Sequence, residues 1–288
     1  MEQPVAANYW QQIGLDYGSQ RLAQLPWQWT HLAIDCAWTY IPCGGASPHR
    51  DILLAVPASL QSPITRCLLA QGAWFELELE FWQAYIQPGM SVIDIGAGVG
   101  IYTFSAAQIG KNVMVYAIEP FSGSIDFLDE TCRINQIENV KIFKNAIDNR
   151  DRQAQLVLQA SSELNYLLAV DETKVGTETE AVVCLTLDRF IQQAAIERVD
   201  LVKISTDGNE LVILSGGEQT IAKFRPTIIY NSYTSKGIDL TVAEYLLDRD
   251  YELFCYQPDL PQLIPLVNES DFSEVIKAIA MPKIRSLS

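Results

Sequence analysis

An α/β fold with a doubly wound sheet is predicted by three features of the chain. Residues 92–102, Val-Ile-Asp-Ile-Gly-Ala-Gly-Val-Gly-Ile-Tyr, read as a buried strand that breaks into a glycine loop and opens a helix from Ile101 to Gln108. A second apolar strand, Val113 to Ile118, ends in Glu119-Pro120, nineteen residues past Gly100. From Ser91 onward strand and helix patterns alternate, the rhythm of a parallel sheet covered on both faces.

The elements follow in order. A helix from Trp74 to Tyr85 is stopped by Pro88-Gly89 before the first strand. After Glu119, Ser122 or Ser124 is placed to cap a helix whose Ile125, Leu128 and Cys132 share one face. The third strand is Val140 to Lys144, followed by Asn145-Ala-Ile-Asp148. The β-like runs 154–158 and 181–185, around a polar loop, mark an insertion. Thr186 caps a short helix through Ala194. The fourth strand, Val199 to Ile204, ends in Ser-Thr-Asp-Gly-Asn-Glu210. One helix is expected from Asn209 to Lys223, then a fifth strand at 227–230. Thr241 and Glu244 fit a capping box for the next helix. The last two strands, 251–256 and 275–281, lack a helix between them, so an antiparallel pair at the sheet edge is expected. The total is about seven strands in a mixed sheet. Residues 1–70, rich in Trp, Gln and Pro, lack this rhythm and read as an accessory segment before a domain at 71–288.

Whole-chain properties restrict the function. The 288 residues can bury a large core. Twenty basic against 35 acidic residues give a net charge of −15, unsuited to a nucleic-acid binder, which neutralises phosphates with a basic surface. No apolar run approaches the ~18 residues needed to span a bilayer. The start lacks the basic and apolar regions of a signal peptide. The six cysteines, at 36, 43, 67, 132, 184 and 255, form no close pairs, as expected of reduced thiols in a cytoplasmic protein.

The glycine loop describes a nucleoside pocket. Glycines let the backbone approach a ligand, and an acid ending the next strand suits ribose hydroxyls. A dinucleotide site would need a third glycine where Ile101 stands, and Asp94 would add a like charge near two phosphates. A cationic sulfonium tolerates both Asp94 and Glu119, so the spacing favours S-adenosylmethionine over a nicotinamide cofactor.

Residues 74–283 resemble the FkbM-type methyltransferases. The matching pieces are Pro88-Gly89 before the 92–100 loop, Ala117-Ile-Glu-Pro120, Asn135 to Val140, Asn145-Ala146 and Thr186-Leu-Asp188. They continue through Val199 to Glu210, Arg225-Pro226 and Ala278 to Lys283. The resemblance implies a class I, Rossmann-like methyltransferase fold, S-adenosylmethionine as donor, and methylation of hydroxyls on saccharides or secondary metabolites. On it, Asp94, Gly96, Ala97, Gly98, Gly100, Tyr102, Glu119, Pro120, Asn145, Ala146 and Ser205 are expected around the cofactor. The family's lysine–x–aspartate–x–glutamate–glycine motif stands here as Lys203-Ile-Ser-Thr-Asp-Gly208, and Asn231 ends the fifth strand in place of an acid. Both changes remove a carboxylate.

Methyl transfer to a hydroxyl needs in-line alignment and a proton acceptor. Both histidines, His31 and His49, precede the domain. Asp207 and Glu210 are therefore the first candidates for the base, with helix capping as their structural alternative. Lys203 is placed either as a buried lysine or with its ammonium on the substrate oxygen. Asn231 is expected to hydrogen-bond the acceptor. His31, Cys36, Cys43 and His49 are spaced too loosely for zinc, and no metal site is expected. Trp10, Trp27, Trp29, Trp38 and Tyr40 read as packing, with an aromatic lid or a homodimer contact as alternative uses. The function expected is S-adenosylmethionine-dependent O-methylation of a small molecule, with neither nucleic acid nor membrane as partner. A degenerate methyltransferase fold acting as a scaffold is the competing reading.

Overall fold

The computed structural model describes residues 37–41, 52–57, 62, 64, 65, 68, 76–159, 162, 165–168, 176–206, 208–234, 237–257, 261–273 and 275–283. A hairpin comes first, β1 (Ala37–Ile41) against β2 (Ile52–Val56). Then follow α1 (Glu78–Tyr85), β3 (Ser91–Ile95), α2 (Ile101–Ala107), β4 (Met114–Ile118), α3 (Ser122–Asn135) and β5 (Val140–Phe143). The insertion holds β6 (Ala146–Asp148), β7 (Arg152–Val157), β8 (Tyr166–Leu167) and β9 (Thr179–Thr186). After it come α4 (Leu187–Gln193), β10 (Leu201–Ile204), α5 (Glu210–Ser215), α6 (Glu218–Phe224) and β11 (Thr227–Asn231). The chain closes with the short hairpin β12 (Tyr233–Thr234) and β13 (Gly237–Ile238), then α7 (Thr241–Leu247), β14 (Tyr251–Gln257), β15 (Gln262–Pro265) and β16 (Lys277–Pro282).

The main sheet has eight strands in the order β15-β14-β16-β11-β10-β3-β4-β5. The five strands β11, β10, β3, β4 and β5 run parallel, and β16 is antiparallel to both β11 and β14. The expected antiparallel pair therefore exists, but β16 lies inside the sheet between β11 and β14. The eighth strand, beyond the seven expected, is β15, which pairs with β14 and forms the edge. The insertion is real too: β6, β9, β7 and β8 make a second, four-stranded sheet.

Each central strand is apolar on both faces, so two cores form. Ile93, Ile95, Val202, Ile204, Ile228 and Tyr230 pack with α4 to α7 on one side. Val92, Leu201, Ile229 and Ile279 pack with α1 and α2 on the other, together with Ile52, Leu54 and Val56 of β2. The β2 backbone is also tied to α3: Leu53 N–H donates to Asn135 Oδ1 at 2.9 Å and Ala55 N–H to Thr131 Oγ1 at 2.9 Å. That part of the N-terminal segment shares the sheet's core. The aromatic residues 10, 27 and 29 and the loose His/Cys set lie outside the described residues, and of Trp38 and Tyr40 only the β1 backbone is described.

Local predictions failed where partners come from afar. The single helix expected from 209 to 223 is two, α5 and α6, split at Gly216-Gly217. A Cβ on Gly216 would stand 2.4 Å from Asp148 O, and one on Gly217 2.7 Å from the Leu187 side chain, so the glycines admit β6 and α4 at the break. Neither Ser122 nor Ser124 caps α3. Its first amides go to acids instead: Phe121 N–H to Glu119 Oε1 at 3.0 Å and Ser122 N–H to Glu180 Oε2 at 3.3 Å. Thr241 is inside α7, where Asp239 Oδ1 accepts its N–H at 2.9 Å, so the expected capping box is absent. Thr186 does cap α4, accepting Arg189 N–H at 3.1 Å.

Candidate active site

A cavity of about 220 Å³ opens at the carboxyl ends of β3, β4, β10 and β11. The glycine loop forms its floor. Gly96, Gly98 and Gly100 have φ of +73°, +55° and +92°, a region costly for residues with a Cβ. At Gly96 a Cβ would lie 2.2 Å from Ser205 O, and at Gly100 2.4 Å from the Phe104 ring, so these two glycines let β10 and α2 close on the loop. Gly98 faces open space, leaving room for a ligand. Gly100 thus supplies the close packing expected of a third glycine at the position of Ile101.

Glu119 stands beside this loop, buried, with Gly98 N–H on Oε2 at 2.9 Å and Phe121 N–H on Oε1 at 3.0 Å. Burial pushes its pKa up, opposed by those two amides and by Lys203. Each oxygen keeps a second lone pair, which is what two ribose hydroxyls require. Gly96, Ala97, Gly98, Tyr102, Glu119, Pro120, Asn145, Ala146 and Ser205 all line the cavity. Gly100, as noted, works from behind the loop.

Asp94 sits elsewhere. It is fully buried below the loop, its Oδ1 accepting from Lys203 Nζ at 2.9 Å and its Oδ2 from Thr103 Oγ1 at 2.7 Å, and it does not line the cavity. Lys203 also donates to Gly96 O at 2.9 Å and packs 5.1 Å from the Tyr102 ring centroid. With two of its three N–H groups engaged, one remains for a ligand.

Strand alternation puts Asp94, Lys203, Asn231 and Lys277 on one face, across neighbouring strands. Lys277 is opposite Asn231 in register and wholly buried. Its ammonium donates to Asn231 Oδ1 at 2.5 Å and Ser205 Oγ at 3.1 Å, with Glu76 Oε1 at 3.4 Å. Glu76, just before α1, lines the cavity. The Tyr102 hydroxyl lacks a well-formed hydrogen bond and faces the acids Glu76 and Glu78. Burial and those charges hold its pKa well above the phenol range. Burial, then the neighbouring Glu76, raises Glu78 to about 7.

Glu210 is brought near but turned to the backbone. Its oxygens accept from Thr206 N–H at 3.1 Å, Gly208 N–H at 2.8 Å and Asn231 Nδ2 at 3.0 Å, and it does not line the cavity. Burial raises its pKa against those amides. The alternative role, ordering the loop before a helix, is the one this geometry serves. Asp207 lies outside the described residues. Sequence reasoning missed Glu76 and Lys277, because a charge at a strand or helix start reads as solvated. It also missed Thr206, although Thr206 lies inside the Lys203–Gly208 motif.

Besides the Tyr102 hydroxyl, two buried polar atoms of cavity-lining residues have no hydrogen-bond partner among the described residues, Thr206 Oγ1 and Asn165 Nδ2. With the open face of Gly98 and the lone pairs of Glu119, they fit a ligand that carries both ribose and amino-acid groups. The chain matches the family described as the methyltransferase FkbM domain over residues 94–253, more than half its length.

The chain belongs to the FkbM methyltransferase family.

Its fold is that of the class I S-adenosylmethionine-dependent methyltransferases, and S-adenosylmethionine is the cofactor. When bound, it supplies an electrophilic methyl group. Among solved structures, the methyltransferase FkbM from Methylobacillus flagellatus KT is 16% identical, covering 71% of this chain and 47% of that one with a TM-score of 0.48. A S-adenosylmethionine-dependent O-methyltransferase from Thermotoga maritima is 14% identical, with 75% and 68% covered and a TM-score of 0.41. A ribosomal protein L11 methyltransferase from Acetivibrio thermocellus is 27% identical over 97 residues, 30% of this chain and 31% of that protein. The FkbM-family chain spans less than half the length of the curated relatives it matches. Among the described residues, no helix is long and apolar enough to cross a membrane, and no cluster of His, Cys, Asp and Glu could hold a metal ion.

Proposed function

We propose that this FkbM-family protein methylates a hydroxyl of a small molecule or saccharide. The observation that carries the reading is the carboxylate of Glu76. It lines the cavity on the side of β11 and β16, while Glu119 lines it beside the glycine loop. A hydroxyl must lose its proton as its oxygen gains a methyl group, and a positioned base contributes roughly 10²–10⁴-fold. Among the described residues, Glu76 and Glu119 are the carboxylates on the wall, and we assign Glu119 to the ribose. Lys277 pairs with Glu76, and the Tyr102 hydroxyl faces it. Asn231 and Ser205 offer neutral hydrogen bonds to the acceptor, and Lys203 has an N–H for the cofactor's amino-acid end or the substrate oxygen. Asp207 is the second carboxylate candidate for the proton.

The net charge of −15 disfavours a polyanionic substrate. A protein substrate, as named for the ribosomal protein L11 methyltransferases, is the outcome to exclude. One observation favours a second reading, a binding protein without turnover: Lys277 locks Ser205 and Asn231 together where carboxylates stand in the family's motif.

The test is S-adenosylhomocysteine release with a panel of glycosides, polyhydroxylated small molecules, ribosomal protein L11 and RNA. Methyl transfer to a small-molecule hydroxyl, reduced at least 100-fold in Glu76→Gln with S-adenosylhomocysteine affinity retained, is the expected result. Labelling confined to L11 or RNA would sink it. Cofactor binding with no turnover on any hydroxyl would move the assignment to the binding protein.

A further inference from the structure

The insertion sheet contributes a polar group to the cavity that belongs to none of the motifs. Asn165 lies just before β8, on the wall that also carries Ala146, Ile147, Leu156 and Leu167. Its Oδ1 accepts Gln159 N–H at 2.8 Å, and its own N–H donates to Ser162 O at 3.1 Å. A backbone N–H can bond only the oxygen of the amide, so the orientation of the side chain is set by this partner. Nδ2 is thereby the other arm. It is buried and has no hydrogen-bond partner among the described residues. A donor buried without an acceptor is costly, and such groups in native proteins are nearly always satisfied.

The surroundings define what would satisfy it. The wall joins the apolar Ala146, Ile147, Leu156 and Leu167 to Ser162, Tyr166 and Asn145, whose own Nδ2 donates to Val183 O at 3.2 Å. A largely apolar slot with an oriented, unbonded N–H donor suits a flat heteroaromatic ring that offers a ring nitrogen. The direction along the sheet agrees. Glu119 ends β4, and Asn145 and Ala146 follow β5, the next strand outward. A ribose held at Glu119 therefore directs its base toward β5 and the insertion sheet.

We propose that Asn165 Nδ2 donates a hydrogen bond to a ring nitrogen of the cofactor's adenine, making Asn165 a residue that determines base specificity. The proposal rests on S-adenosylmethionine as cofactor but not on the nature of the acceptor. It makes the insertion part of the nucleoside site.

The test is calorimetric and needs no acceptor. S-Adenosylhomocysteine and its 1-deaza, 3-deaza and 7-deaza analogues are titrated into the wild type and Asn165→Ala. One analogue should bind the wild type roughly 3- to 10-fold more weakly than S-adenosylhomocysteine, the size of one net hydrogen bond. In Asn165→Ala that difference should vanish. Equal ratios in the two proteins for all analogues would overturn the proposal. Asn165→Asp keeps the acceptor for Gln159 and removes the donor, so it should stay folded yet bind S-adenosylhomocysteine at least 3-fold more weakly. A folded Asn165→Asp with wild-type affinity would overturn it as well. Loss of binding by the wild type itself would reject the whole nucleoside site, a different result from intact binding with unchanged ratios.

Discussion

Lys203 and Lys277 are both buried on the same face of the sheet, and each stands in register with a polar partner on the adjacent strand. Their surroundings differ. Lys203 is held by Asp94 and Gly96 O, both part of the glycine-loop strand, and an aspartate meets it with a full opposite charge. Lys277 meets neutral Asn231 and Ser205, and its counter-charge is Glu76, some two hundred residues away in sequence and at 3.4 Å in space. The Lys203 pair joins two strands that are direct neighbours in the parallel sheet, β3 and β10. The Lys277 cluster draws Glu76, Ser205, Asn231 and Lys277 from four distant segments that meet only in the folded chain. A buried ammonium with such partners is stable only if all of them arrive together, since an unpaired buried charge costs several kcal/mol.

The largest effect should come from breaking that second cluster. Lys277→Met leaves Glu76 without its cation and is expected to lower unfolding free energy by about 3–5 kcal/mol. Urea titration measures this, and a loss under about 1 kcal/mol would mean that Glu76 and Lys277 do not depend on one another. S-Adenosylhomocysteine affinity of the folded variant should change little, because Lys277 acts on the acceptor side. Next comes Glu119→Ala, which removes charge-assisted bonds worth about 1.5–3 kcal/mol each. Affinity for S-adenosylhomocysteine should fall at least 10-fold by calorimetry. Unchanged affinity would remove Glu119 from the ribose site and reduce its role to tying Gly98 and Phe121.

The smallest effect concerns Glu78, raised from 4.5 to about 7 by burial and then by Glu76, with Lys277 opposing. A carboxyl whose pKa is higher in the folded state contributes stability in full below about 4.5, and that contribution is lost as pH rises through about 7. Wild-type stability should therefore decline across this window relative to Glu78→Gln, by at most ~1.4 kcal/mol per pH unit. Parallel pH profiles of the urea midpoint for the two proteins would show that Glu78 does not titrate there.

Much of the fold was legible because its signals are local. The glycine loop, the acid ending the second strand and the Thr186 cap each act within a few residues, and each stands where it was expected. The insertion was legible as a pair of β-like runs. What escaped depended on long-range partners. Glu180 takes over the helix start that Ser122 or Ser124 was expected to cap, and Asp148 and Leu187 explain the glycine pair that breaks the 209–223 helix. Glu210 looked like a base beside a cleft, and its turn toward the amides of Thr206 and Gly208 is visible only in three dimensions.

Sequence by itself determined the parallel sheet, the cofactor loop and the acid beside it, because periodicity and spacing constrain backbone shape directly. Tertiary structure alone decided which charges face the cavity. Asp94 went beneath the loop and Glu76 came onto the wall, since burial and pairing depend on which strands are neighbours, and β16 stands between β11 and β14 rather than at the edge.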